Sequence, residues 1–136
     1  MRDITFHMID GAPEPVAPFS HATEAGGWVF VTGQMPTHPG RPDAALPYGI
    51  EAQTRQVIDN LCRVLRGLSL SLPDVVRTGA YLTHFDEDYA IFNEVYRSYF
   101  EPGRLPARTC IGVTALARGA RVEIDFIARR PAPRGT

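Results

Sequence analysis

Residues 105–128, LPARTCIGVTALARGARVEIDFIA, close the chain with two strand-like runs from which the rest of the sheet can be reasoned. From position 121 to 128 the residues alternate. Val122, Ile124 and Phe126 share one face, and Arg121, Glu123, Asp125 and Ile127 share the other. The preceding run, 108–116, groups Thr109, Ile111 and Val113 on one face and Arg108, Cys110 and Gly112 opposite. A hairpin at ARGA (117–120) would join the two runs. With the apolar sets packed on helices, Arg108 and Glu123 would then be near neighbours on the far side of the sheet. Arg108 is the puzzle, because a guanidinium at the mouth of a strand stays charged and demands an anionic partner, from the protein or from a ligand.

Upstream, residues 4–9 alternate as a first strand. GAPEPVAP (11–18) is too rich in proline for regular structure. FSHATEAGGWVFVTGQ (19–34) reads as a hairpin turning at Gly26-Gly27, followed by the polar, proline-studded loop PTHPGRPDAALPYG (36–49). From about Ile50 the period becomes helical: Val57, Ile58, Leu61, Val64, Leu65 and Leu68 form a stripe, with Arg55, Asp59, Arg63 and Arg66 facing away. A strand at 75–82 precedes a second helix whose stripe is Ile91, Phe92, Val95, Tyr96, Tyr99 and Phe100, all read as core. The order β-β-β-α-β-α-β-β predicts an α+β fold, a four- or five-stranded sheet with both helices on one face.

That architecture leaves a face of the sheet to be explained. Either the face is wet and Arg108–Glu123 is an ordinary cross-strand ion pair, contributing about 0.2–1 kcal/mol. Or another subunit covers it, and Arg108 lines an interfacial pocket with its fork free for a carboxylate.

The 136 residues suit one domain, 1–136, and the net charge of -1 provides no basic stripe for a nucleic-acid backbone. All 14 basic residues are arginine, so no lysine exists to form a Schiff base, anchor pyridoxal phosphate or complete a P-loop. Cys62 and Cys110 are read as small buried hydrophobes rather than a disulfide. His7, His21, His38 and His84 lack metal-ligand spacing and are read as loop or surface residues; no metal is expected. The start, MRDITFHMIDG, has no apolar core of a signal peptide and no run approaches a membrane span, so a cytoplasmic protein is expected.

Four stretches together resemble the RidA/YjgF family, the reactive intermediate deaminases: APFSHATEAGGWVFVTGQMP (17–36), EAQTRQVIDNLCRVL (51–65), SLPDVVRTGAYLTHFDEDYAIFNEVYRSYF (71–100) and LPARTCIGVTALARGARVEIDFIA (105–128). The resemblance implies a chorismate-mutase-like fold, a homotrimer whose sheets line a central barrel, and ligand clefts between subunits. It further implies hydrolysis of 2-imino acids or their enamine tautomers, such as 2-iminopropanoate or 2-iminobutanoate, to 2-oxo acids and ammonia, without a cofactor. By position, Arg108 would clamp the substrate carboxylate and Glu123 would hold or activate the attacking water. The Cys110 carbonyl would orient that water, and Gly33 would offer a backbone N–H. Three positions depart from the family pattern. Phe19 stands where tyrosine is frequent, Thr32 replaces a serine and narrows the pocket, and His21 replaces a glutamine outside the cleft. The loop THPGRPDAALPYG (37–49) is longer than the pattern and would reshape the pocket rim.

Overall fold

A computed structural model describes residues 3–132. The strands are β1 (Thr5–His7), β2 (Ala22–Ala25), β3 (Trp28–Gln34), β4 (Val75–Leu82), β5 (Ala107–Gly112) and β6 (Val122–Arg129); the helices are α1 (Gly49–Gly67) and α2 (Phe85–Arg97). The element order is the expected one, but the sheet has six strands, in the order β1-β2-β3-β6-β4-β5. All neighbours are antiparallel except β4 and β5.

β6 sits centrally because its alternation is the cleanest in the chain. Val122, Ile124, Phe126 and Ala128 are buried against the helices, while Glu123, Asp125 and Ile127 turn to the other face. Val29 and Val31 of β3 and Ala80 and Leu82 of β4 extend that buried face. It meets the α1 stripe of Val57, Ile58, Leu61, Val64 and Leu65, and Phe92 and Tyr96 of α2. The α2 stripe is core only in part: Ile91 is exposed. At Gly26 and Gly27 both φ angles are positive, the geometry of a tight β2–β3 hairpin whose twist matches the strands.

The closing hairpin does not form. β5 runs parallel to β4 as the edge strand, with α2 as the crossover, and β4 lies between β5 and β6. The connection 113–121 instead steps over the end of β4. The Val113 N–H donates to the Leu82 carbonyl (2.9 Å) and the Thr83 N–H to that of Arg121 (3.1 Å). ARGA contributes a 3-10 turn, Ala117–Gly119, with Arg118 at φ 58°.

The facing of β5 is also the reverse of that expected from its own alternation. Arg108 pairs with Thr78 and Cys110 with Ala80, and paired residues share a face, so Arg108 and Cys110 lie on the helix side. Thr109 and the exposed Ile111 lie on the open face. An edge strand has only one neighbour, so its alternation is weakly written and β4 imposes the register.

The open face is not uniformly polar: Trp28, Phe30 and Ile111 are each more than two-fifths exposed there. Among the described residues no helix is long and apolar enough to cross a membrane.

Candidate active site in two halves

Glu123 projects from β6 onto the open face beside Gly33 of β3. The β3–β6 ladder pairs Val31 with Phe126 and Gln34 with Ile124, three steps against two, and this bulge takes Gly33 out of the regular pairing. The close approach depends on the missing side chain: a Cβ at position 33 would overlap the Glu123 carboxylate and turn that flexible side chain aside. Burial, with Asp125 adding like-charge repulsion, raises the Glu123 carboxyl above the ordinary carboxylate range.

A cavity of about 400 Å³ opens at this point, lined by Phe19, Thr32, Gly33 and Glu123 together with Met35 and Arg118. Four of the six residues expected at a site therefore line one cavity. Thr32 has a structural duty inside it, as its hydroxyl donates to the Ser20 carbonyl (2.6 Å) and ties down the segment carrying Phe19. Thr37, His38, Gly40 and Pro42 form part of the rim, which is where the long loop was expected to act.

Arg108 and Cys110 are not in that cavity. They lie across the sheet and beyond β4, so the Arg108–Glu123 pair expected from a hairpin does not exist within one chain. Arg108 lies over the rings of Tyr96 (4.9 Å to the centroid), Phe92 (5.6 Å) and Tyr89 (6.0 Å). A guanidinium over aromatic faces is held and oriented without being neutralised. Among the described residues no carboxylate pairs with it. A second cavity of about 350 Å³ surrounds it, bounded by Tyr89, Asn93, Tyr96, Leu105 and Pro106. Burial pushes the Cys110 thiol up, and the nearby Arg108 charge opposes that only in part, so the thiol stays protonated at neutral pH.

Two features escaped the reading of the sequence. The aromatic platform is visible only in part from spacing: Phe92 and Tyr96 fall in the helical stripe assigned to core, and Tyr89 falls outside it. Arg118 was read as a turn residue. Its guanidinium donates to the carbonyls of Pro42 and Ala44 (3.0 Å for the latter), fastening the rim loop to the β5–β6 connection.

The histidines do not assemble either. His21 is buried, not on the surface. Its Nδ1 accepts from the Ile9 N–H (2.8 Å), which places the ring proton on Nε2, where it donates to the Pro13 carbonyl (2.7 Å). It braces the proline loop and lies outside the Glu123 cavity, as expected. His7 pairs with Glu24 (3.1 Å). Among the described residues no cluster of three His, Cys, Asp or Glu is placed to hold a metal ion.

A mixed sheet backed by two helices, with an acid in one cavity and an arginine over aromatic rings in another, defines a small α+β domain with two candidate ligand cavities. The family model described as Endoribonuclease L-PSP matches residues 9–130. A RutC family protein of Pyrococcus horikoshii is 36% identical over 128 residues, 94% of this chain and 98% of its own. The 2-iminobutanoate/2-iminopropanoate deaminase of Mus musculus is 34% identical over 117 residues, 86% of this chain and 84% of its own. The crystal structure of RidA from a Psychrobacter species matches with a TM-score of 0.82 at 32% identity, covering 95% of this chain and 99% of that one. The chain belongs to the RidA/YjgF family.

Proposed function

We propose that this protein hydrolyses small reactive 2-imino acids, or their enamine tautomers, to 2-oxo acids and ammonia, with 2-iminopropanoate and 2-iminobutanoate as reference substrates. The observation that carries the reading is the division of the chemistry: a protonatable acid against a glycine on one face, and an unneutralised arginine on the other. The two complement each other only across a contact between copies. The proposed assembly is a homotrimer packed through the open sheet face, whose exposed Trp28, Phe30 and Ile111 favour such burial. In each cleft, Arg108 of one subunit faces the Glu123 cavity of the next.

In that cleft the guanidinium binds the substrate carboxylate through paired charge-assisted hydrogen bonds, contributing about 1.5–3 kcal/mol and fixing the plane of the imine. The Gly33 N–H adds a donor to the same carboxylate. The Glu123 carboxylate and the Cys110 carbonyl hold a water against the imine carbon. The water oxygen bonds to that carbon while its proton passes through Glu123 to the imine nitrogen, giving a carbinolamine. A second proton transfer, from the new hydroxyl to the amine, expels ammonia as the carbonyl forms. Positioning removes much of the entropic barrier, and proton transfer through a placed acid typically contributes about 10²–10⁴-fold. The family name Endoribonuclease fits this chain less well: its net charge is -1, and His7 and His21 are each engaged with other groups.

A coupled assay tests the proposal. An amino-acid oxidase generates the imine in the presence of semicarbazide, and semicarbazone formation is followed. Wild type suppresses the signal and Arg108→Ala does not. A folded wild type that leaves the signal unchanged refutes the deaminase and leaves a small-molecule-binding role.

A further inference from the structure

We propose that the Glu123 cavity selects imino acids bearing a large apolar side chain, of the size of isobutyl or benzyl, over 2-iminopropanoate; this rests on the deaminase reading above. The cavity volume of about 400 Å³ lies in the range that encloses drug-sized ligands, about 300–1,000 Å³. In the half of the cleft that this subunit supplies, a side chain of a single methyl group would leave most of the apolar wall uncovered.

The chemistry of the walls points the same way. Val16, Ala17, Phe19, Met35 and Pro42 give the cavity a largely apolar wall, with Glu14, Gln34, Thr37 and His38 also in the lining. Val16 is 66% exposed and Phe19 39%, apolar surface that a ligand side chain would cover. Two of the polar groups in the lining are engaged within the protein. The Thr32 hydroxyl is given to Ser20, and the Arg118 guanidinium to Pro42 and Ala44. Against this apolar wall a hydrocarbon side chain needs no hydrogen-bonding partner.

The cavity is also built rather than incidental. Its rim is pinned by Asn60, which donates to the Met35 and Thr37 carbonyls (2.9 and 2.8 Å), and by Arg118, which donates to those of Pro42 and Ala44. A preformed apolar wall gives its full discrimination to the ligand that fills it, because little ordering remains to be done on binding.

Two stable 2-oxo acids, pyruvate and 4-methyl-2-oxopentanoate, serve as probes because each is the product of the corresponding imine. Calorimetric titration into the intact protein is expected to show at least about tenfold tighter binding of the larger acid, since single methylenes in a fitted apolar pocket discriminate by about 10–200-fold. The ratio of kcat/KM for imines generated from leucine and alanine shifts in the same direction. Ala17→Trp, at an exposed loop position, narrows the cavity and lowers the ratio at least about tenfold; Val16→Asp, which charges the same wall, lowers it again if the tryptophan variant does not fold. Equal or tighter binding of pyruvate, with imines still hydrolysed, overturns the size selection and leaves the deaminase standing. No binding of either acid and no hydrolysis of either imine overturns both.

Discussion

At the scale of single residues, Gly33 and Glu123 act as one device. Their approach exists only because position 33 has no side chain, so Gly33→Ala must drive the carboxylate away from the cavity wall. A displacement of about 1 Å in a positioned catalytic group costs on the order of 10²-fold, and kcat/KM in the semicarbazide assay is expected to fall by that factor with the fold retained by circular dichroism. Glu123 also carries a stability signature. Its carboxyl is raised above the ordinary range by burial and then by Asp125. A group that binds its proton more tightly folded than unfolded favours the folded state at pH below the unfolded value. That contribution is lost as pH rises through the folded value. Glu123→Gln is therefore expected to have a higher Tm than wild type at pH 7, with the difference vanishing as pH falls below the ordinary carboxylate range. The same substitution is expected to abolish hydrolysis in the semicarbazide assay. A Tm lowered at pH 7 would show that the ionised carboxylate is stabilised in the fold by a partner. Gly33 did not stand out by spacing in the sequence; periodicity placed Glu123 on the open face, expected beside Arg108, and the resemblance to a family supplied the roles proposed for both.

At the scale of elements, the rim loop and β5 show how far a pattern carries. The loop was legible as proline-rich and irregular, but its anchors were not, because side chain to backbone hydrogen bonds leave no periodic trace. Asn60 is fully buried on α1 among residues that read as an apolar stripe, and it holds the carbonyls of Met35 and Thr37. Asn60→Ala orphans both, along with its partner Gln56, and is expected to cost about 1–3 kcal/mol in urea unfolding. Arg118 makes a comparable pair of bonds from an exposed position, so Arg118→Ala is expected to change global stability by no more than about 0.5 kcal/mol. Its effect is local: faster amide hydrogen exchange over residues 38–46, with exchange in α1 and β6 unchanged. Slow exchange retained in the loop of that variant would mean that Arg118 is not its latch. β5 failed in a different way. Its composition announced a strand, but a hairpin to β6 was the local solution, and the chain takes a non-local one in which β4 enters between them and sets the facing of Arg108. Central β6, packed on both flanks, was read correctly down to the facing of each residue.

At the scale of the whole molecule, this reversal of β5 turns one proposed site into two halves. Had the hairpin formed, a single chain would have held Arg108 beside Glu123, and oligomerisation would have been incidental to the chemistry. With the two on opposite faces of one sheet, the proposed reaction requires a second copy, and this gives a test that no single-chain mechanism passes. Arg108→Ala and Glu123→Gln are each expected to be inactive alone. Unfolded together in equal amounts and refolded, the two chains assort at random. A cleft then works when its arginine comes from a Glu123→Gln chain and its glutamate from an Arg108→Ala chain, which happens at about a quarter of the contacts. Activity should therefore return to about a quarter of the wild-type value in the mixture, and to nothing when each variant is refolded separately. Sedimentation of the wild type at the mass of a trimer is the accompanying expectation. A mixture that stays inactive while still forming mixed oligomers would require both residues to act from one subunit, a geometry that the interposed β4 does not provide.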